Sequence, residues 1–435
     1  MVIRGSCRLI SIVLAAICLV WLSIVNGLGR YFDDRVSHGD DSAVIKTMRW
    51  QPMTPAALLR EGVSRLKSDP EEATRLLVRA YRANRADPRP LFPLAGQLRS
   101  QGDLERSDRL IELAAQLAPA DLHTQILVAD HWWARGQFDK VLKHWSTALE
   151  LKPQLQAILF PKMLEMVEFP QFRQLFIPFA KVPPLWWMPF FHHVSTNALN
   201  PQTVRYCYGL RRTSRDHPLT PVERDAYVAR LQRDGLIADA YLVWLGGLEK
   251  HEREQLGLLF DGGFELPLKH RGFGWQLSET KNFTAKQTSI QGVSGMAMWL
   301  WFTGFDGYFD HLYQPLFLDP GVYRLTGRMH PDGLDSKGGL RWQVRCILPQ
   351  EKVLAESQRF LGTGAWSEFN LKFEVMPGCT FQQLTLVSGG DRAFERKLNG
   401  SLWFDDLKIA RQSEPNAKPQ LGIPVKDKSG NQPRH

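Results

Sequence analysis

The sequence predicts a multidomain α + β chain: an N-terminal transmembrane helix, an all-α repeat array and a C-terminal antiparallel β-sandwich. Three observations carry this. An uncharged run of 20 residues lies near the start, a 34-residue periodicity follows it, and segments of alternating polarity between turn signals fill the C-terminal part. At 435 residues the chain exceeds what one compact core accommodates, so two or three domains are expected. Composition is that of a globular protein, 44% hydrophobic and 23% charged. The net charge of +9 is modest for this length and bears on solubility and encounter rather than on fold.

The first element fixes the compartment. Arg4 and Arg8 precede the apolar run Leu9 to Leu28, which as a helix reaches about 30 Å, the thickness of a hydrocarbon core. The flank after it is mixed (Arg30, Asp33, Asp34, Arg35), so the positive-inside bias places the N-terminus in the cytoplasm. A single-pass protein of a bacterial inner membrane follows, anchored through residues 1–30, with its bulk in the periplasm. A cleaved signal peptide is the rival: it carries a shorter apolar region, about 7–15 residues, and a small-x-small site. Val25-Asn26-Gly27 is a poor version of that site. Residues 31–53 read as a polar, loosely ordered stalk. Nucleic acid is not an expected partner in this compartment.

From about Thr54 the period becomes helical. Ala80, Ala114 and Ala148 are spaced by 34, as are Gly102 and Gly136, Leu104 and Phe138, and Pro119 and Pro153. These residues resemble the tetratricopeptide repeat (TPR), in which small Ala positions let two helices approach, Gly opens the turn between them and Pro closes the unit. The resemblance implies a TPR-like superhelix whose groove takes a protein partner. A degenerate unit, Gly235 to Leu248, repeats the Gly-to-Trp step of Gly136 to Trp145, so the array is expected over 54–255. Inside it, the stretch around Trp186, Trp187, Phe190 and Phe191 reads as core between imperfect repeats, with a membrane-surface or partner-binding segment as the rival. Arg205, Arg211, Arg212 and Arg215 form a basic cluster expected on a solvated helical face.

Around Leu256 the pattern changes to alternation. MAMWLWFTG, GLRWQVRCIL, AWSEFNLKFEVMP and SLWFDDLKIA recur between loops marked by Pro320-Gly321 and Pro377-Gly378. Eight to ten strands in about 150 residues read as an antiparallel sandwich over 256–411, with a disordered tail over 412–435. The opening LLFDGGFE, the closing LWFDDLKIA and the strand GVYRLTG resemble carbohydrate-binding modules of the galactose-binding-like jelly-roll fold. That resemblance implies that the two ends lie side by side. It also implies a structural calcium, on positions matching Glu265 and Asp405 or Asp406; carboxylate oxygens suit this cation. No other cofactor is expected.

Two sets of residues stand out in this region. Cys346 and Cys379 lie within or beside predicted strands, and an oxidising compartment permits them to pair if those strands are neighbours. On the strand 297–302, Met298, Leu300 and Phe302 share one side, which leaves Trp299 and Trp301 on the other, where Trp403 joins them. Flat rings there either stack on sugar or bury against the repeat domain. Should they be architectural, the sugar site would fall among Trp275, Phe305, Tyr308 and Tyr313.

Motifs of catalysis (GxSxG, Walker A, GxGxxG, HExxH) are absent from the sequence. The expected function is therefore a non-enzymatic, membrane-anchored periplasmic scaffold. It would bind protein through the TPR groove and glycan through the sandwich, as an accessory to assembly or export of an extracellular polysaccharide. A pure protein scaffold of an inner-membrane complex is the alternative, and a polysaccharide-modifying enzyme the third reading, since paired carboxylates on distant loops leave no local motif.

Overall fold

A computed structural model describes residues 2–37, 42–50, 54–278, 280–390 and 392–412. The chain forms two compact units that divide between Pro218 and Leu219.

The first unit is helical. Helix α1 (Val2–Ser37) contains an apolar window, Ala15–Phe32, with a mean hydropathy of 1.4 and 6% of the window buried, long and apolar enough to cross a membrane. The expected loose stalk is instead largely helical. Helix α1 continues to Ser37, and α2 (Ser42–Trp50) packs back on it, with the Trp21 and Trp50 ring centroids 6.3 Å apart. Its reason is local: Ala43 is buried in a small apolar cluster with Ala57, flanked by Phe32, so part of the segment is amphipathic rather than uniformly polar.

Three helix pairs then repeat: α3 (Pro55–Arg65) with α4 (Pro70–Ala83), α5 (Leu91–Ser100) with α6 (Leu104–Leu117), and α7 (Leu122–Ala134) with α8 (Phe138–Leu151). Ala80, Ala114 and Ala148 are fully buried on the second helix of each pair, where only a small side chain permits close packing. Asp69 and Asp103 cap their helices by accepting from the amides of Glu72 and Arg106.

Irregular helices follow: α9 (Gln156–Glu168), α10 (Ile177–Lys181), α11 (Trp187–Asn197) and α12 (Pro201–Arg212). Trp186, Trp187, Phe190 and Phe191 are all at most 2% exposed, so this aromatic segment is core. The Trp186 indole also donates to Ser146 Oγ at 2.9 Å. Arg211 does not join a surface cluster. It is buried, and its guanidinium donates to the carbonyls of Ala180, His217 and Pro218.

The second unit opens with α13 (Pro221–Arg233), α14 (Ile237–Leu245) and α15 (Lys250–Arg253), and these helices pack on the sandwich. Trp244 meets Phe260 and Phe273, Arg271 pairs with Asp225 at 2.5 Å, and Lys269 pairs with Glu252 at 2.6 Å. Gly272, at φ +62°, lies against the Trp244 ring, where a Cβ would collide. Among the described residues no strand falls between Thr54 and Lys250.

The sandwich has two antiparallel sheets. Its strands are β1 (Gln276–Leu277), β2 (Phe283–Thr288), β3 (Ala297–Phe305), β4 (Leu312–Leu316), β5 (Gly321–Asp335), β6 (Leu340–Leu348), β7 (Lys352–Glu356), β8 (Ser367–Val375), β9 (Phe381–Ser388) and β10 (Leu398–Arg411). One sheet runs β1-β4-β9-β6-β7, the other β2-β3-β10-β5-β8. Phe302, Trp342, Phe360, Phe404 and their neighbours fill the space between them. The opening and closing segments are adjacent: the Leu407 amide donates to the Gly262 carbonyl, and a Cβ at Gly262 would collide with the Leu407 carbonyl. A disulfide joins Cys346 to Cys379 with Cα atoms 5.9 Å apart. Residues 413–435, expected as a disordered tail, lie outside the described residues.

Candidate functional site

Strand β3 builds the site by pleat parity. Met298, Leu300 and Phe302 are at most 1% exposed, which turns Trp299 and Trp301 to the outer face. Trp301 is 45% exposed and Trp299 half-buried. Their ring planes lie within 10° of parallel with centroids 5.8 Å apart. Trp403 on β10 stands directly opposite Trp299 in the register, and those rings are also 5.8 Å apart.

The row continues further than the sequence indicated. His330 on β5 is the register partner of Trp403, and its ring lies 5.6 Å from that of Trp366, just before β8. His330 Nδ1 sits 2.5 Å from the Gly364 carbonyl, which can only accept, so Nδ1 carries the hydrogen. Indole and imidazole rings therefore cross from β3 to the start of β8, roughly three strand spacings or ~14 Å. Cations flank the row at both ends. The Lys286 ammonium is 4.8 Å from the Trp299 ring centre, and the Arg328 guanidinium 5.1 Å from that of Trp366. Arg328 also pairs with Asp406 at 3.6 Å. The contribution of Trp366 was invisible to local reasoning, since only β5–β8 pairing brings it here.

The other aromatic candidates do not join this face. Trp275 is core, 3% exposed: its ring packs on Phe264 and Trp342, and its indole donates to the Asp261 carbonyl. Phe305 is core as well, at 6% exposed. The register of β3 against β10 shifts beside Gly304, at φ +78°, and that irregularity returns Phe305 to the inner side. Tyr308 is exposed, with the Arg396 guanidinium 5.5 Å from its ring, and Tyr313 is half-buried on β4. Both lie away from the tryptophan row, Tyr313 on the opposite sheet.

Near the segment ends, Asp405 is 3% exposed, and its carboxyl is pushed up to about 6 by burial, with Asp406 and Glu265 adding negative charge. Glu265 accepts from the Met296 amide at 3.1 Å. Asp261 accepts from the amides of Glu265 and Leu266, and burial raises its pKa. Asp406 departs from this group: at φ +54° it sits in a bulge and turns out toward Arg328. Glu265 and Asp405 thus supply two carboxylates, and among the described residues no group of three or more His, Cys, Asp or Glu is arranged to hold a metal. Calcium would draw most of its six to eight oxygens from backbone and water.

In the first unit, Leu59, Val63, Phe92, Pro93 and Leu127, from the first helices of the three pairs, line an open groove of about 810 Å³ edged by Arg60, Arg89 and His123.

No protein-family model matches this chain. Nor does any curated protein. Structural neighbours include TPR-like proteins and carbohydrate-binding modules. PilF of Pseudomonas aeruginosa is 14% identical, with 51% of this chain and 97% of that one covered and a TM-score of 0.28. A family 11 carbohydrate-binding module of a cellulosomal cellulase of Clostridium thermocellum is 11% identical, covering 35% and 94%, at 0.24. The N-terminal modules of an endo-1,4-β-D-xylanase from Clostridium thermocellum, complexed with xylohexaose, are 16% identical over 36% of this chain, at 0.25; the match spans 28% of that chain.

Proposed function

We propose that this chain is a non-enzymatic, membrane-anchored binding protein that holds a polysaccharide on its sandwich and a protein segment in its helical groove. In this reading α1 crosses a bacterial inner membrane with Arg4 and Arg8 in the cytoplasm, and both units are periplasmic. The polymer is one in assembly or export. The observation that carries the reading is the outer row of rings: two parallel tryptophans, a third across the strand, then His330 and Trp366. Flat aromatic surfaces stack on the apolar faces of sugar rings, and none of the four tryptophans of this row belongs to the sandwich core among the described residues. Glu265 and Asp405 would hold a structural calcium beside the closing strand.

Retention of the full chain on immobilised polysaccharides tests this. Trp299→Ala with Trp301→Ala should abolish retention and leave the melting temperature of the second unit unchanged. Unchanged retention removes the main support. The groove on α3, α5 and α7 favours a second reading, a protein scaffold of an inner-membrane complex with the sandwich as a spacer. Under that reading, replacing Phe92 with Glu disrupts partner capture while the tryptophan variant leaves every measurable property intact.

A further inference from the structure

The aromatic segment of the first unit buries its rings and leaves a tip outside. Trp186, Trp187, Phe190 and Phe191 are core, yet Val182 is 67%, Leu185 90% and Met188 42% exposed. A single exposed apolar residue is ordinary, but three so close in the chain make a patch. The tip is fixed on both sides. Pro183 and Pro184 restrict its backbone, and the Trp186 indole that follows is bonded to Ser146. Before it, the Ala180 carbonyl accepts from Nη1 of the buried Arg211 at 2.9 Å, and the Lys181 carbonyl from Ser214 Oγ at 3.2 Å. Val182 and Leu185 are therefore held out by their neighbours.

The same bonds bring the end of α12 to the tip. Arg211 also donates to the His217 and Pro218 carbonyls, which gathers residues 212–218 beside it. Lys181, Arg212 and Arg215 are exposed there, and Arg205 lies two turns back on α12. Residues 169–218 hold six Lys and Arg and one acid, Asp216, so +5 of the chain's net +9 falls within them. A second exposed leucine gives the contrast. Leu199 is 87% exposed just past the far end of α11, a helix about 16 Å long, and its amide donates to the Glu168 carboxylate at 2.6 Å.

We infer that this basic, apolar tip docks on the surface of an anionic bilayer, the one that α1 crosses, and holds the helical unit to the membrane at a second point. Val182, Leu185 and Met188 enter the boundary between headgroups and acyl chains, while Lys181, Arg212 and Arg215 meet lipid phosphates. A soluble anion would use the cations and leave the apolar side chains in water. The docking rests on α1 as a membrane helix; it needs neither the tryptophan row nor the helical groove.

The full chain, with Cys7→Ser and Cys18→Ser, is labelled with a thiol-reactive fluorophore at Leu185→Cys or, as the control, at Leu199→Cys. Cys207 is buried, and Cys346 and Cys379 are paired. Nanodiscs of phosphatidylcholine, alone or mixed equally with phosphatidylglycerol, carry doxyl-labelled lipid as one quencher, and iodide quenches from water. In the mixed lipid, doxyl should quench the label at 185 about threefold more than that at 199, and less at high salt. Arg212→Glu with Arg215→Glu should bring the label at 185 down to the control. Both arginines are exposed, and the comparison of the two lipids needs no change to them, so a folding defect cannot hide the answer. A label at 185 that only iodide reaches overturns the docking and leaves α1 as the anchor. Equal doxyl quenching at 185 and 199, or in the two lipids, overturns it as well. A label that neither quencher reaches means that a protein covers the tip, which also overturns it. A chain that does not enter nanodiscs overturns both this docking and the anchor.

Discussion

Two groups of tryptophans, one in each unit, are used in opposite ways. In the first, Trp132 on α7 and Trp186 and Trp187 among the irregular helices sink to 1–2% exposure, while Trp133 stays 44% exposed. In the second, Trp301 remains 45% exposed beside Trp299 and Trp403, while other rings, Trp342 and Phe404 among them, fill the core. Aromatic density alone therefore says little about function. Parity decides: on β3 the tryptophans occupy the side that the core residues leave free.

Truncation should break the comparison most sharply. Trp187→Ala removes a buried indole and should cost about 3–5 kcal/mol by thermal or chemical unfolding. Trp301→Ala should stay within about 0.5 kcal/mol, because its ring contributes little to packing. Equal losses at the two sites would mean that the tryptophan row is structural after all.

The next effect separates the units by redox state. The disulfide Cys346–Cys379 closes a loop of sequence separation 33, worth roughly 2–4 kcal/mol through the unfolded chain. Replacing both residues with Ser should lower the melting transition of the second unit and leave that of the helical unit in place. Calorimetry of the full chain resolves the two transitions.

What was legible in the sequence was what depends on local period. The 34-residue spacing placed Ala80, Ala114 and Ala148, and the alternation placed Trp299 and Trp301 outward. What was not legible depends on pairing between distant strands or on a single irregularity. Trp366 and His330 meet only because β8 pairs with β5. Phe305 turns inward beside a bulge at Gly304. The helices α13–α15 repeat the array's spacing, yet they pack on the sandwich through Trp244, Arg271 and Lys269. The helical stalk rests on α1–α2 packing that no period announces.

A smaller effect is pH-dependent and belongs to the second unit. The carboxyl of Asp405, raised from 3.8 to about 6 in the folded state, prefers its neutral form there. The unfolded chain releases that proton first, so stability should fall as pH rises from about 4 to about 6 and then level off. Asp405→Asn should therefore stabilise the calcium-free protein at pH 7 by about 1–2 kcal/mol, a value discounted for solvent screening. Calcium held by Glu265 and Asp405 would reverse this order, raising the wild-type melting temperature and not that of Asp405→Asn. Melts at pH 4 to 8, with EDTA or with calcium, read both.

The smallest effect tests the repeats against one another. Asp69 and Asp103 lie 34 residues apart, and each accepts from the backbone amide three positions on. The equivalent place in the third pair is Gln137, which begins α8 without a side-chain cap. A glutamine is too long to fold back on its own helix start, so the first amides of α8 lack the partner that the other two second helices have. Gln137→Asp should supply it and raise the stability of the first unit by about 0.5–1 kcal/mol, while Asp103→Ala should lower it by a similar amount. The double variant should then return close to wild type, because the two caps serve separate helices and their effects should add. A Gln137→Asp protein no more stable than wild type would show that α8 starts with a different geometry from α4 and α6, and that the third pair departs from the repeat just where its sequence does.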